Sequence, residues 1–148
     1  MDEVVGPEVL GSEECWEVLS AARTGNFLYT RHAMPMARPV PVCVWNRLLI
    51  IVMDATVREV VMRAGVGVAA LQVDDVDRAT LRGRSVNVHG EAGFLDEKAS
   101  PALWGAAGSL PRWEDAGVYG YVVPYDVAGE RFDFVPHGVG VVTAPRTT

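Results

Sequence analysis

Alternating apolar and polar residues predict that most of this chain forms β-strands. Val86 and Val88 alternate with Asn87 and His89, which is the period-2 pattern of a half-buried strand. Segments of strand character occur at residues 26–30, 37–45, 48–53, 66–73, 84–95, 118–127 and 131–136. The first three should form an antiparallel meander, and the last two a hairpin that turns near residues 128–129. Six or seven strands with short helices favour a small barrel.

Capping residues predict a helix near each end of the chain. Ser12 has the N-cap position of a helix that ends at Gly25, and its apolar residues recur at helical spacing, so the helix should pack by one face. Ser100 and Pro101 have the N-cap and N1 signature of a second helix.

A third short helix follows the apolar segment at 48–53. Thr56 and Glu59 have the spacing of a capping box, which predicts a helix that begins at Val57 and ends near Gly65. Arg58 then lies in the first turn, where a cation opposes the helix dipole, so helix stability does not explain it. A guanidinium, a hydroxyl and free backbone N–H groups at a helix N-terminus can bind phosphate. The alternative is a solvated arginine.

The length and composition favour one domain. The chain has 148 residues, a mass of 16.0 kDa and 49% hydrophobic residues, which is enough to bury a full core. We expect a single domain over residues 1–148, with its core at 8–135 and a frayed tail at 136–148. The acidic residues 74–83 should form a solvated loop.

Charge and hydropathy argue against two classes of partner. The net charge is -6, the isoelectric point is near 5.0, and the 13 basic residues are spread along the chain, so we expect no nucleic-acid partner. No apolar run is long enough to span a bilayer, and the acidic N-terminus lacks the features of a signal peptide. We therefore expect no membrane partner and a cytoplasmic protein.

Standard catalytic and metal-binding motifs are not evident. Cys15 and Cys43 form no CxxC pair and are interpreted as buried thiols. His32, His89 and His137 lie far apart and lack the spacing of metal ligands, so we expect no metal site. The sequence identifies no catalytic residue.

An ordered set of segments resembles the pyridoxamine 5'-phosphate oxidase-like family of FMN-binding split barrels. The set consists of GNFLYT at 25–30, PVPV at 39–42, a short helix after the third strand, and QVDDVDRATLRGRSVNVHGEA at 72–92. The resemblance covers residues 8–135. It implies a mainly β protein with short helices, built as a six-stranded antiparallel split barrel that forms a homodimer with two FMN sites at its interface.

The same resemblance implies which residues bind the cofactor. Relatives commonly place an Arg or Lys after the third strand on the FMN phosphate, and Arg58, assisted by Thr56, is similar to it. Backbone groups of residues 39–42 would face the flavin ring. The candidate cofactor-binding residues are Pro41, Val42, Met53, Asp54, Thr56, Arg58 and Arg84.

Departures from the family pattern leave two functions open. Arg84 stands where the family has Trp, and Tyr121 stands where many relatives have Arg. Met53, followed by Asp54, stands where many relatives have another basic residue or a polar flavin contact. The first function is an FMN-dependent oxidoreductase acting on a small organic substrate, with FAD or a deazaflavin as alternative cofactors. The second is a flavin-free barrel that binds a small molecule in the dimer cleft and catalyses a non-redox biosynthetic step. In that case Arg84, Tyr121 and His89 would supply the polar groups, and Tyr121 and His89 are the candidate substrate-binding residues.

Overall fold

Strands and short helices alternate along the chain in the computed structural model, which describes residues 7–64, 68–111 and 117–134. The strands are β1 (Glu8–Val9), β2 (Thr24–Arg31), β3 (Met34–Trp45), β4 (Leu48–Met53), β5 (Val68–Asp77), β6 (Arg82–Phe94) and β7 (Val118–Asp133). The helices are α1 (Ser12–Ala21), α2 (Ala55–Ala64) and α3 (Pro101–Ala107). No helix within these described ranges is both long and apolar enough to cross a membrane.

Strands β2 to β7 close into a ring. Their order is β7–β4–β3–β2–β5–β6, every neighbouring pair is antiparallel, and β6 also pairs with β7. The short β1 adds to the free edge of β7, where Glu8 lies opposite Arg131. This arrangement confirms the expected mainly β fold and its six-stranded antiparallel split barrel.

Two helices cover the main core of the barrel. Helix α1 contributes Cys15, Val18 and Leu19, and α2 contributes Val57 and Val61, all of which are buried. Burial of such aliphatic side chains contributes about 1.5 to 3 kcal/mol each. Both helices therefore pack over the inward-facing residues of the strands, as expected for helices that are apolar on one face.

Strand β4 is buried on both faces. Leu49, Ile51 and Met53 belong to the main core, whereas Ile50 and Val52 face a second cluster under α3. The buried members of that second cluster are Ile50, Val52, Leu95, Ala107, Leu110 and Tyr119. This double burial explains why β4 reads as a continuous apolar run rather than an alternating one.

The expected hairpin near residues 128–129 is wrong. Val118–Asp133 forms one long strand that pairs with β6 along its length, with a register shift opposite His89 and Gly90. Gly129 lies buried inside this strand, and a Cβ there would lie 2.9 Å from the Cys15 Sγ. The glycine thus serves the close approach of α1 to the strand rather than a turn.

Helix and loop boundaries differ from expectation in two further places. The first helix ends at Ala21, and Gly25 lies within β2, where a Cβ would be 3.2 Å from the backbone oxygen of Gln72. The expected loop at 74–83 is shorter, because β5 continues to Asp77.

The third helix follows its sequence signature. The Ser100 hydroxyl accepts a hydrogen bond from the Leu103 backbone N–H at 3.2 Å, and Pro101 is the first helical residue. Its predicted N-cap is therefore confirmed. The expected end of α2 near Gly65, His137 and the tail at 136–148 lie outside the described residues.

Candidate anion-binding cleft beside helix α2

Helix α2 begins directly after a buried aspartate. The Asp54 carboxylate accepts a hydrogen bond from the Val57 backbone N–H at 2.9 Å, and its carbonyl accepts one from the Arg58 N–H at 2.9 Å. This is the geometry of an N-cap, because the side chain satisfies the N–H of the third helical residue. The expected capping box with Thr56 as N-cap is therefore wrong, and Thr56 lies in the first turn.

Asp54 also joins α2 to the barrel wall. The Arg38 Nε of β3 donates to the other carboxylate oxygen, which neutralises the buried charge. The Asp54 side chain is only 6% exposed, whereas that of Arg38 is 42% exposed. A buried carboxylate is tolerated when its oxygens are hydrogen-bonded in this way.

A cleft of about 620 Å³ lies between α2 and the turn that joins β2 to β3. Its described lining residues are Thr30, Arg31, His32, Thr56, Glu59, Val60 and Arg63. The helical members recur at positions 56, 59, 60 and 63, which is the spacing of one helix face. The opposite wall comes from the β2–β3 turn, so the cleft exists only in the folded barrel.

Positive charge exceeds negative charge in this cleft. Arg63 pairs with Glu59 at 2.7 Å across one helical turn, which leaves Arg31 as the excess cation, because no ion-pair partner for it occurs among the described residues. The hydroxyls of Thr30 and Thr56 add neutral donors. Guanidinium and hydroxyl donors together suit a phosphate or another oxyanion.

The turn that carries part of the lining is strained. His32 and Ala33 have φ angles of 51° and 59°, in the left-handed region that favours glycine. Two-residue hairpin turns of this kind usually contain Asn-Gly, because both central residues need a positive φ. The turn that borders the cleft therefore holds two non-glycine residues in a conformation that glycine adopts more readily.

An apolar cleft adjoins the cationic one. It has a volume of about 340 Å³ and shares Thr30 and Val60 with the first cleft. Its other described lining residues are Phe27, Leu28, Tyr29, Val61, Val68, Ala69, Ala70 and Ala92. A ligand with an anionic group and a flat apolar ring could therefore span both clefts.

The structure separates the two α2 residues that sequence analysis combined. Thr56 lines the cationic cleft, whereas Arg58 is exposed and is not among the lining residues. Arg63, which sequence analysis missed, shares the face of Thr56 because it lies seven residues later. That spacing was present in the sequence and could have identified Arg63. Arg31 and His32 had no such local signal, because tertiary folding brings them to α2.

Four other cofactor-binding candidates are built into the barrel wall or bound to it. Met53 is fully buried, and a Cβ at Gly120 would lie 2.0 Å from the Met53 Cε, so its side chain packs tightly into the core. Val42 is buried and Pro41 is half-buried on β3. Asp54 is bound to Arg38, as described above. None of these four lines the cationic cleft.

Arg84 belongs to an ion-pair network in a different part of the molecule. Its guanidinium lies 3.0 Å from the Asp75 carboxylate and 3.4 Å from that of Glu14. The hydrogen bond to Asp75, assisted by that to Glu14, raises the pKa of Arg84 above its ordinary value. Arg131 also pairs with Glu14, so the network joins α1 to β5, β6 and β7.

The three polar groups of the flavin-free hypothesis do not form one site in this chain. Arg84, His89 and Gly93 follow one another along β6, and Tyr121 lies opposite Gly93. Arg84 and Gly93 are therefore about 30 Å apart at roughly 3.3 Å per residue. His89 is exposed, and its Nδ1 lies 3.7 Å from the carboxylate of Asp126.

Comparison with known proteins gives relatives by structure alone. No protein-family model matches the chain, and no curated protein matches it. Among solved structures, a FAD-binding protein from Mycobacterium smegmatis has a TM-score of 0.66 at 23% identity, over 88% of this chain and 100% of the other. A FAD-binding protein from Mesorhizobium loti has a TM-score of 0.67 at 21% identity, over 86% and 99%.

A third similar structure connects the fold to the oxidase group. A Corynebacterium glutamicum protein, provisionally named a pyridoxamine 5'-phosphate oxidase, has a TM-score of 0.66 at 18% identity, over 87% of this chain and 100% of the other. These identities are all below 25%, so the likeness establishes the fold. The expected resemblance to pyridoxamine 5'-phosphate oxidase-like split barrels is thereby confirmed at the level of the fold.

Proposed function

We propose that this split barrel binds a flavin nucleotide and acts as a flavin-dependent oxidoreductase on a small organic substrate. The observation that carries the proposal is the cationic cleft beside α2, which opens into an apolar cleft of the same barrel. Solved proteins with this fold include two that are named FAD-binding. The fold and the local donor chemistry therefore support the same class of ligand.

The residues present fit the two ends of a flavin nucleotide. Arg31 and Arg63 would bind the phosphate through charge-assisted hydrogen bonds, and the Thr56 hydroxyl would donate a further hydrogen bond to it. Phe27 and Tyr29 would border the ring in the apolar cleft and exclude water from it. A bound flavin supplies the electron-transfer chemistry, while the protein supplies binding, orientation and electrostatics.

We favour FMN because the described cleft offers one cluster of cationic and hydroxyl donors, which matches one phosphate group. FAD is the alternative that the names of the solved relatives suggest. We further propose that the protein is a cytoplasmic homodimer. The homodimer is supported by exposed methionines on the β2–β3 hairpin, the same hairpin that carries Arg31.

Two arginines on the same helix allow a matched test. Purified protein would be titrated with FMN, FAD and riboflavin, with flavin fluorescence as the readout, for the wild type, Arg63→Gln and Arg58→Gln. Losing a charge-assisted hydrogen bond costs about 1.5 to 3 kcal/mol. We therefore expect Arg63→Gln to weaken FMN binding about 10- to 150-fold. Riboflavin binding should not change, because riboflavin has no phosphate.

The control variant distinguishes the two positions for the phosphate. Arg58→Gln removes the same charge from the same helix but lies outside the cleft lining, so FMN affinity should change less than about threefold. A large loss in Arg58→Gln with none in Arg63→Gln would place the phosphate where the sequence resemblance put it. Failure of the wild-type protein to bind any of the three flavins would favour the flavin-free alternative.

A further inference from the structure

A third cleft borders α2 on its other flank. It has a volume of about 490 Å³ and lies between α2 and the neighbouring parts of β6 and β7. Its described lining residues are Val61, Met62, Glu91, Ala92, Gly93, Phe94, Tyr121 and Val123. It shares Val61 and Ala92 with the apolar cleft, so the two are continuous.

The chemistry of this cleft is opposite to that of the cationic cleft. Glu91 is the one charged residue among its described lining residues, and no ion-pair partner for it occurs in the described part of the chain. The remaining lining is aliphatic or aromatic. A bound anion would meet a carboxylate and no cation here, whereas a bound cation would gain a counter-charge.

Apolar side chains in the cleft are exposed to solvent. Met62 is 60% exposed and Val123 is 47% exposed, although neither has a polar group that favours contact with water. Met62 is unbranched and flexible, so its thioether can adapt to ligands of different shape. Contact with an apolar group on a ligand would remove these side chains from water and so favour binding.

The aromatic wall depends on a glycine. A Cβ at Gly93 would lie 2.5 Å from both the Cζ and the phenolic oxygen of Tyr121, so the Tyr121 ring packs directly on the Gly93 backbone. Phe94 also belongs to the lining, but its ring packs against the main core on the other face of the sheet, so Tyr121 supplies the ring of this wall. Aromatic rings attract cations, because the faces of the ring carry partial negative charge.

We propose that this cleft binds a small organic amine with an aromatic or aliphatic body. The ammonium group would contact Glu91 and the Tyr121 ring, and the body would cover Met62 and Val123. The binding site stands on the geometry of the cleft alone, whereas the assignment of such an amine as the substrate rests on the proposed flavin function. Arg58 lies one turn before Met62 but outside the lining, so it does not supply a competing cation within the cleft.

The test compares three probes of nearly equal shape: 2-phenylethylamine, 2-phenylethanol and 3-phenylpropanoate. Calorimetric titration of the purified protein, without and with saturating FMN, should show that the amine binds more tightly than the alcohol, and the carboxylate most weakly. Glu91→Gln should weaken amine binding about threefold to fivefold and leave alcohol binding unchanged. Glu130→Gln is the control, because it removes an exposed carboxylate from β7 outside this lining.

The outcomes separate this proposal from the flavin function. Amine binding that depends on Glu91 supports the site even when the protein binds no flavin, and in that case only the oxidoreductase proposal fails. Equal binding of the amine and the carboxylate, or equal losses in Glu91→Gln and Glu130→Gln, would overturn the site. Tyr121→Phe keeps the ring, so this variant should retain most of the amine affinity. Complete loss of amine binding in Tyr121→Phe would also contradict a site based on Glu91 and the ring at position 121.

Discussion

At the scale of single residues, Asp54 combines two tasks. It satisfies the Val57 N–H at the start of α2, and it binds the Arg38 guanidinium of β3. The helix carries Thr56 and Arg63 into the cationic cleft, so the orientation of that cleft depends on this carboxylate. Asp54, which sequence analysis named as a candidate cofactor-binding residue, thus supports the site by holding the start of α2.

Substitution of Asp54 should separate these two tasks. Asp54→Ala removes the cap and the charged hydrogen bond, so we expect the free energy of unfolding to fall by about 2 to 4 kcal/mol. Asp54→Asn retains a side-chain oxygen that can cap the helix, so it should lose about half as much. Urea denaturation followed by circular dichroism measures both values. Equal losses in the two variants would mean that the cap contributes nothing.

At the scale of elements, capping and alternation predicted some boundaries and not others. Ser100 and Pro101 act locally, because the hydroxyl and the ring belong to the residues that start α3, and that prediction holds. Gly25 and Gly129 look the same in sequence as helix stops or turn residues. Both positions instead need glycine because another element packs closely against the backbone there. No local sequence pattern shows such a contact. A glycine alone therefore does not distinguish a turn from a tight contact.

The β5–β6 turn gives a pH-dependent prediction. The Asp77 carboxylate accepts hydrogen bonds from the backbone N–H groups of Thr80 at 3.1 Å and Ala79 at 2.8 Å. These bonds lower the pKa of Asp77 below its ordinary value of 3.8. Because the folded pKa is the lower one, the turn gains stability from the ionised form above pH 3.8 and loses it as the pH falls through the folded pKa.

NMR titration of the side-chain carboxyl and of the Ala79 and Thr80 amides would measure this effect. We expect Asp77 to titrate below pH 3.8 and the two amide shifts to follow the same curve. In Asp77→Asn the amide oxygen can still accept both hydrogen bonds, so the amide shifts should stay constant across that pH range. A measured pKa at or above 3.8 would show that the carboxylate is not bound by the turn in solution.

At the scale of the whole molecule, the pairing of strands that closes the barrel is the feature that the sequence pattern did not predict. The alternation of Val86 and Val88 with polar residues identifies β6 as a strand, but not its pairing with both β5 and β7. That pairing sets the face of the barrel on which each residue lies. It places Arg84 beside Asp75 and Glu14, far from Tyr121, although Arg84 and Tyr121 were candidates for one site. Long-range register is therefore the step that pattern analysis lacked.

Exposed apolar residues on the β2–β3 hairpin support the proposed homodimer. Met34 is 62% exposed and Met36 is 40% exposed, and both lie beyond the part of β3 that is buried in the barrel. If these side chains are buried in an interface, their apolar area stabilises the dimer. A charge in the same place would be desolvated and unpaired, so it would destabilise the dimer. The same hairpin carries Arg31 and His32 into the cationic cleft, so a partner seated on it would lie beside the cleft.

Light scattering at micromolar concentration tests this arrangement. The wild type should have about twice the chain mass of 16.0 kDa. The double variant Met34→Asp/Met36→Asp should be a monomer. Val76→Asp, at a residue that is 41% exposed on β5, should remain a dimer. If the partner also covers the cationic cleft, the monomeric variant should bind FMN more weakly than the Val76→Asp control, although none of the cleft residues has changed.

A monomeric wild type would contradict the homodimer. A dimer that persists in the double variant would place the interface elsewhere on the barrel, and the FMN-binding cleft would then have to function without a second subunit beside it.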